Sequence, residues 1–467
     1  MPEIDFDNLR AEIARLSIMH HMGRVAGVEA GCLKVTGLNH VARIGDVLRI
    51  MRREGPPLDG EVQQLRPDHL VLLPDGADVG TGLGDPALLM PPPDIAPGLH
   101  WLGRVIDPCG EPLDGRPLFR GTVSRPLIAA PPGAGQRRAF GQRLETGMAV
   151  LNTLLPIVRG QRIGLFAGAG VGKSSLLIQL ARHLQADVVV IALIGERGRE
   201  VRHFVETALG TEGLARSVVV AATSDKSALT RRRCAWTAMA VAEHFRDMGL
   251  HVLLLADSIT RFAEAHREIA IAGGEAASLR GFPASTAFNI MSLCERAGPG
   301  AGEQGDITAV FSVLVAGSDM DEPVADIMRG VLDGHVILDR AIAERGRYPA
   351  IDLLRSVSRS LPEAATEAEL AMISEVRQLL GAYQQSEVII RSGLYTPGSD
   401  PLLDRAISVW TELDTFLAEV ERHDTANSFA RLSLLLRRSR SAKGNGPVSS
   451  GTAYRSGDLP TRNSKPQ

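Results

Sequence analysis

The sequence is poor in several features that mark particular classes of protein. Only four of its 467 residues are cysteines (Cys32, Cys109, Cys234 and Cys294), and their wide spacing argues against a zinc site. The chain starts with acidic residues rather than an export signal, so we expect reduced thiols and a cytoplasmic location. The longest strongly apolar run, Val188–Ile194, has the length of a buried strand and is too short to cross a bilayer. A formal net charge of −3 gives no general attraction for nucleic acid or membrane.

Aromatic residues make up only 4% of the chain, and their distribution bears on one class of function. Between Asp7 and His100 the sequence contains no Phe, Tyr or Trp. A ring-shaped RNA helicase would need aromatic platforms for base stacking in an N-terminal barrel. The sequence therefore predicts no nucleic-acid partner, and a helicase is kept only as an alternative hypothesis.

What is present is the composition of a large soluble globular protein, with 44% hydrophobic and 22% charged residues. The first 18 residues predict an amphipathic helix, because Phe6, Leu9, Ile13 and Leu16 recur at helical spacing. This apolar stripe either packs on its own domain or binds a partner protein by helix-in-groove recognition.

Changes of pattern divide the rest of the chain into segments. Short apolar segments separated by turn residues predict a small β-barrel over residues 20–92. Strands that alternate with amphipathic helices over 99–359 predict an α/β domain with a parallel sheet covered on both faces. Residues 360–436 predict a helical domain, whereas 439–467 lack apolar periodicity and are expected to be disordered.

Glycine is concentrated at one corner of the predicted sheet, in the stretch FAGAGVGKSS at 166–175. A strand is predicted before it and a helix after it, so successive backbone N–H groups would form an anion nest at a helix N-terminus. Lys173 would reach the β- and γ-phosphates of a nucleoside triphosphate, and Ser174 would offer its hydroxyl to Mg²⁺. Ala167 stands where the phosphate-loop pattern has glycine, which is acceptable if its φ is negative; the alternative is a chance glycine turn. The predicted nucleotide-binding residues of this loop are Gly168, Ala169, Gly170, Val171, Gly172, Lys173, Ser174 and Ser175.

Acidic residues end two further predicted strands at the same edge of the sheet. Asp257 follows an apolar strand where a metal-holding carboxylate is needed, although it could instead cap the next helix. Glu196 and Arg197 follow another apolar strand, and Glu196 is the predicted base that activates the attacking water. The alternative for Glu196 is a structural ion pair with a nearby arginine.

Two further residues are weaker candidates by spacing alone. Arg355 and Arg359, in RSVSRS, could supply the cation that stabilises charge on the γ-phosphate, or they could be surface arginines. Tyr348 could stack on adenine, or it could be a half-buried packing residue.

Taken together, the motifs resemble the catalytic family of rotary-type ATPases, over about residues 20–435. That family includes the β subunit of the F-type ATP synthase, its V-type counterpart, and the ATPases of flagellar and virulence type III secretion. The resemblance rests on long matches such as LGRVIDPCGEPLDG, VVVIALIGERGREV and LLLADSITRFAEAHREIA. The stretches FAGAGVGKS, RFAEAHREIA and GSDPLLDRAI look more like the flagellar and type III secretion ATPases than the synthase β subunit.

This resemblance implies a RecA-like P-loop NTPase sheet, preceded by a β-barrel and followed by a helical domain. It implies an Mg²⁺-dependent ATPase, because non-catalytic relatives carry glutamine where this chain has Glu196. It also implies that Arg359 reaches the nucleotide of a neighbouring subunit in a homohexameric ring, and that Tyr348 contacts adenine.

The expected function is to energise type III protein export, with flagellar subunits as the favoured cargo. The implied partners are a stator-like regulatory protein at the N-terminal helix, an export gate and chaperone–cargo complexes. The implied location is the cytoplasmic face of the membrane export apparatus, with peripheral membrane association. The alternative within the family is a subunit of a proton-driven rotary synthase.

Overall fold

The structure is a computed structural model that describes residues 10, 13, 19–29, 31–315 and 320–441. The amphipathic helix predicted over 1–18 lies outside the described residues except for Arg10 and Ile13. The predicted tail lies outside them from residue 442 onward. No helix in the described part of the chain is long and apolar enough to cross a membrane.

A closed six-stranded antiparallel barrel comes first. Its strands are β1 (Met22–Glu29), β2 (Cys32–Thr36), β3 (Val47–Ile50), β4 (Leu58–Leu65), β5 (Leu70–Pro74) and β6 (Pro86–Leu89). They pair in the order β1, β2, β5, β4, β3 and β6, and β6 returns to β1. Alternate residues of each strand point inward, so Leu33, Val35 and Leu72 are fully buried in the barrel core.

A largely parallel sheet forms the centre of the protein. Its strands are β8 (Arg104–Ile106), β10 (Arg162–Ala167), β11 (Val188–Glu196), β12 (Ser217–Thr223), β13 (Val252–Asp257), β14 (Gly298–Pro299), β15 (Asp306–Leu314), β16 (Gly334–Leu338) and β17 (Ile351–Ser358). The order across the sheet is β17, β16, β10, β15, β13, β11, β12 and β8, with β14 beside the start of β15. Only β14 and β17 run antiparallel to their neighbours. A separate two-stranded ribbon is formed by β7 (Asp94–Ile95) and β9 (Arg125–Pro126).

Helices cover both faces of the sheet, as its apolar strands require. They are α1 (Ala149–Thr153), α2 (Lys173–His183), α3 (Gly198–His203), α4 (Gly210–Ala215), α5 (Ala228–Asp247), α6 (Ile259–Ala272), α7 (Ala284–Glu295), α8 (Pro323–Val331) and α9 (Arg340–Glu344). A π-helix, Phe204–Leu209, separates α3 from α4. Every residue of β11 and β13 is buried, because both of their faces are covered.

Three helices follow the sheet and pack against one of its faces. They are α10 (Glu367–Arg391), α11 (Pro401–Leu417) and α12 (Thr425–Ser441). The start of α10 is fixed by a capping box, in which Thr366 accepts from the Glu369 N–H and Glu369 accepts from the Thr366 N–H. Asp400 caps α11 in the same sense, by accepting from the backbone N–H groups of Leu402 and Leu403. The helices share one hydrophobic core with β10 and α2, so this helical region is continuous with the phosphate-loop side of the sheet.

Candidate active site

The glycine-rich turn lies at the carboxyl end of β10, near the middle of the sheet. The chain leaves β10 at Ala167, turns through residues 168–172 and enters α2 at Lys173. Gly170 and Gly172 have φ values of 76° and 89°, in the left-handed region that glycine adopts without strain. The turn therefore directs backbone N–H groups and the positive end of α2 toward one point, which is the arrangement that binds phosphate.

Ala167 does not occupy the turn itself. It is the last residue of β10, it is buried, and it pairs with Leu314 of β15 and Leu338 of β16. Among the described residues that are not glycine, only Arg280 has a positive φ. The departure from the phosphate-loop pattern is thus accommodated, because position 167 has a strand conformation and not the positive φ that would favour glycine.

Lys173 and Asp257 meet beside this turn. The ammonium group of Lys173 donates to the carboxylate of Asp257, and the hydroxyl of Ser312 donates to the same carboxylate at 2.7 Å. Asp257 is the last residue of β13 and is 4% exposed, whereas Ser312 lies on the intervening strand β15. Asp257 is not the cap of the next helix, because Ser258 accepts from the Arg261 N–H at the start of α6.

Glu196 ends β11 at the same edge and is 8% exposed. Its Oε1 lies 3.2 Å from Nη1 of Arg261, which also donates to the carbonyl of Gly195. The structural ion pair with an arginine, which is the alternative role for Glu196, is therefore present. It fixes the position of the carboxylate at the end of β11.

The environment of Glu196 favours a protonated carboxyl. Burial raises the pKa of Glu196 from 4.5 to about 7, and a hydrogen bond with Glu200 and the negative charge of Asp257 add to this effect. The positive charges of Arg261 and Lys173 act in the opposite direction. A carboxylate with a pKa near neutrality can take a proton from water and release it again at physiological pH.

A small cavity of about 140 Å³ borders the turn at Gly172. The ring of Tyr348 forms one wall and lies so close to Gly172 that a Cβ atom there would be 3.0 Å from Cδ1 of the ring. Tyr348 is 51% exposed, so about half of its surface is open to a ligand. The other residues that line the cavity are Met148, Ser175, Leu176, Gln179, Pro349, Ala418 and Val420.

Two predicted site residues lie outside the buried cluster of Lys173, Asp257 and Glu196: Arg197 is exposed beside it, and Arg359 is distant from it. The side chain of Arg197 is 66% exposed, and its guanidinium is 3.6 Å from Glu200. Arg359 follows β17, whose last residue pairs with Gly334 at the amino end of β16. The turn lies at the carboxyl end of β16, on the order of 13 Å away along the strand. Within one chain Arg359 therefore does not approach Lys173; its guanidinium donates to the carbonyl of Arg329 at 3.1 Å.

Several residues of the cluster were not predicted from the sequence. Arg261 and Ser312 lie within apolar or amphipathic elements, and only the order of strands in the sheet places them beside Glu196 and Asp257. Ala418 and Val420 follow the C-terminal end of α11, and an isolated β-bridge pairs Val420 with Met148 beside the cavity. For Arg261 one sequence signal was available. It is a charged residue at the third position of a helix that follows a strand with an acidic last residue.

The oxygen donors of the cluster suit Mg²⁺. Ser174 is exposed in the first turn of α2, and Asp257 presents a carboxylate held by Lys173 and Ser312. Hydroxyl and carboxylate oxygens, completed by water and phosphate, are the ligands that Mg²⁺ prefers. The residues present therefore fit this ion.

Comparison with known proteins agrees with this geometry. The nucleotide-binding domain of the ATP synthase alpha/beta family matches residues 147–358, and the T3SS EscN ATPase C-terminal domain matches 365–433. The assembled ATPase EscN from the enteropathogenic E. coli type III secretion system superimposes with a TM-score of 0.81 and 35% identity, over 89% of this chain and 100% of that one. The predicted order of barrel, parallel-sheet domain and helical region is confirmed.

Characterised relatives match almost the whole chain. The flagellum-specific ATP synthase of Caulobacter vibrioides is 43% identical over 92% of this chain and 99% of its own length. The corresponding protein of Salmonella typhimurium is 42% identical over 92% of this chain and 96% of its own. The type 3 secretion system ATPase of Xanthomonas euvesicatoria is 42% identical over 88% and 92%. With its phosphate loop, its acidic strand ends and these relatives, the chain belongs to the flagellar and type III secretion ATPases of the ATP synthase alpha/beta family.

Proposed function

We propose that this protein hydrolyses ATP to energise type III protein export. The observation that carries the proposal is the convergence of Lys173, Asp257 and Glu196 beside one glycine-rich turn. An anion-binding turn alone would bind phosphate, but a buried carboxyl with a pKa of about 7 beside it suits the activation of water. Binding and hydrolysis are therefore assigned to the same edge of the sheet.

Each residue of the cluster has a distinct part in this proposal. The N–H groups of residues 168–172 and the ammonium of Lys173 bind the β- and γ-phosphates, so Lys173 exchanges Asp257 for phosphate when ATP binds. Glu196 orients the attacking water and accepts its proton, and Arg261 keeps the carboxylate aimed at that water. Tyr348 stacks on adenine, in the cavity that Gly172 leaves open.

Ser174 and Asp257 would hold Mg²⁺ with the phosphates. The ion would neutralise charge on the phosphate oxygens and align the terminal phosphate. Ser312 supports this by donating to Asp257, which fixes the carboxylate at the strand end.

The arginine that would stabilise negative charge on the γ-phosphate is assigned to a neighbouring subunit. Arg359 lies at the opposite edge of the sheet from the turn, so it cannot complete the site of its own chain. A head-to-tail ring places that edge against the next site, and we propose a homohexamer in which Arg359 serves the adjoining nucleotide. Arg197 is exposed beside the site and is proposed to contact the same phosphate once the ring has formed.

Export of flagellar subunits is the favoured process. Two of the relatives named above are flagellum-specific ATP synthases, and a type 3 secretion system ATPase has about the same identity to this chain. EscN has been solved in complex with its central stalk EscO, and a stalk partner is proposed here by analogy. We further propose a stator-like regulatory protein at residues 1–18, contacts with an export gate and chaperone–cargo complexes, and peripheral association at the inner face of the membrane.

The test separates binding from hydrolysis. The Glu196→Gln variant should bind ATP with Mg²⁺ and hold it without turnover, because the amide cannot accept the proton. Lys173→Ala should lose ATP binding as well. Calorimetry with ATP and a phosphate-release assay check both; normal turnover by Glu196→Gln would remove Glu196 as the base.

A further inference from the structure

The barrel contacts the sheet domain at the helix that follows one of the active-site strands. This helix, α5, begins four residues after the end of β12, the strand that pairs with β11. Two barrel carboxylates bind its first two turns. Glu61 of β4 accepts from the guanidinium of Arg232 at 2.6 and 2.7 Å, and Asp75, at the end of β5, binds the start of the helix. The proposed hydrolysis assigns no part to either carboxylate.

Asp75 completes the N-cap of α5. The hydroxyl of Ser227 accepts from the N–H of Thr230 at 3.1 Å, which is the cap itself. The same hydroxyl donates to the carboxylate of Asp75, and the hydroxyl of Thr230 donates to that carboxylate at 2.7 Å. Because a hydroxyl has one hydrogen and an ionised carboxylate can only accept, Asp75 draws the hydrogen of Ser227 toward the barrel and leaves the oxygen free to accept from the helix. The cap of a helix in the sheet domain therefore depends on a side chain of the barrel.

The loop before this cap holds the backbone of Glu196. The N–H of Ser224 donates to the carbonyl of Glu196 at 3.0 Å. The pairing of β11 with β12 is irregular at this point, because the register shifts between Ile194 and Glu196 and Gly195 has a φ of 66°. Such a bulge re-aims the side chain beside it. The direction of the Glu196 carboxyl therefore depends on the bonds that close this strand end.

The cap and the loop are joined by a second set of contacts. The N–H of Arg231 donates to the carbonyl of Ser227 at 3.0 Å, and its Nε donates to the carbonyl of Lys226 at 3.2 Å. Lys226 lies two residues after Ser224, so ordering the first turn of α5 also orders the loop. A change at the cap is thus passed to the backbone that holds Glu196.

We propose that Asp75 is a positioning residue for hydrolysis. By completing the cap at Ser227, it fixes the loop that closes on Glu196 and keeps that carboxyl in place for the attacking water. Asp75 does not contact the nucleotide, and it acts through Ser227 and Ser224. The inference rests on the proposed role of Glu196, and it gives the barrel a part in the chemistry of the sheet domain.

Phosphate release by the full-length protein, with calorimetric titration of ATP, tests this role. Asp75→Ala should lower kcat about fivefold, which is the usual effect of losing an N-cap interaction, and leave the dissociation constant for ATP unchanged. Asp75→Asn should keep most turnover, because the amide oxygen still accepts from both hydroxyls. Asp59→Ala is the matched control, because Asp59 pairs with Arg49 at 2.7 Å within the barrel.

A substitution on the helix side keeps the test decisive if Asp75→Ala does not fold. Ser227→Ala removes the same cap, so it should lower kcat by a similar factor, and the double variant should lose no more than the worse single variant. Both single variants should also move the fall of kcat/KM with acid to lower pH. Burial is the largest cause that raises the pKa of Glu196, and a loosened strand end admits water to it. A helix that is merely less stable would not move this fall.

Four outcomes would overturn the inference and leave the proposed function standing. They are unchanged kcat in Asp75→Ala and Ser227→Ala, additive losses in the double variant, a loss in Asp75→Asn as large as in Asp75→Ala, and an equal loss in Asp59→Ala. A failure of the proposed function looks different. In that case the wild-type protein releases no phosphate, or Glu196→Gln turns over as fast as the wild type, and the inference is overturned with it.

Discussion

The pH dependence of turnover tests the proposed role of Glu196 most directly. With a pKa of about 7, Glu196 is about half deprotonated at pH 7 and about one-tenth deprotonated at pH 6. A carboxyl with the ordinary pKa of 4.5 would be almost fully deprotonated at both values. If Glu196 is the base, kcat/KM should therefore fall about tenfold for each pH unit below 7, and level off above pH 8.

Two substitutions should move the acidic limb of the pH profile, where kcat/KM falls below pH 7, in opposite directions. The hydrogen bond that protonated Glu196 donates to Glu200 raises the pKa of Glu196, so Glu200→Ala should lower that pKa and shift the limb to more acidic pH. The charge of Arg261 lowers the pKa, so Arg261→Ala should shift the limb to higher pH, on top of any loss in the plateau. Arg267 lies on the same helix but stacks on Phe282, and Arg267→Ala should leave the limb where it is.

The assay is phosphate release at low ATP between about pH 5.5 and 8.5, because kcat/KM reports the ionisation of the free enzyme. Circular dichroism at each pH excludes unfolding as the cause of a loss. A wild-type profile that stays flat down to pH 5.5, or shifts of the same sign in both variants, would refute the assignment of Glu196 and its environment.

Three other substitutions give measurable results. Gly172→Ala should weaken ATP binding by about tenfold, because its φ of 89° costs an L residue about 1–2 kcal/mol and its Cβ would press on Tyr348. Arg359→Ala should lower turnover by about 10³–10⁵ and spare nucleotide binding. Glu243→Ala should lower the free energy of unfolding by about 3–5 kcal/mol, because it leaves the buried Arg296 without its carboxylate partner. In the native protein Arg296 donates to the two oxygens of Glu243 at 2.6 and 2.8 Å.

Each of these results has a matched control. Gly170→Ala meets no atom within 4 Å, so its smaller effect on ATP binding isolates the contact with Tyr348. Arg355→Ala should keep most turnover; equal losses for both arginines would end the specific role of Arg359. The double change Glu243→Met with Arg296→Leu should recover most of the stability in urea unfolding, and no recovery would mean that the ion pair is not the cause.

The sequence could predict what depends on neighbouring residues in the chain. Lys173 and the glycines of its turn are consecutive, and Asp257 and Glu196 each end an apolar strand, so position along the strand locates them at one edge. Ser312 could not be predicted in the same way. It is a polar residue within a buried strand, and only the placement of β15 between β10 and β13 brings it to Asp257.

The cavity beside Tyr348 could not be predicted from the sequence for a related reason. Its far wall, Ala418 and Val420, is separated from the turn by more than two hundred residues and has no motif of its own. Small apolar residues after a helix are ordinary packing residues in most contexts. Their meaning here comes from the way α11 returns to the phosphate-loop side of the sheet.

The barrel has a consequence for how subunits can meet. Since β6 closes on β1, each strand of the barrel is paired on both sides, and the described part of the barrel has no edge strand for another copy to pair with. Adjacent barrels in an assembly can then touch only through side chains and loops. Such contacts can slide or separate without breaking any strand pairing. In a ring built this way, neighbouring barrels could therefore shift relative to one another while every subunit keeps its own fold.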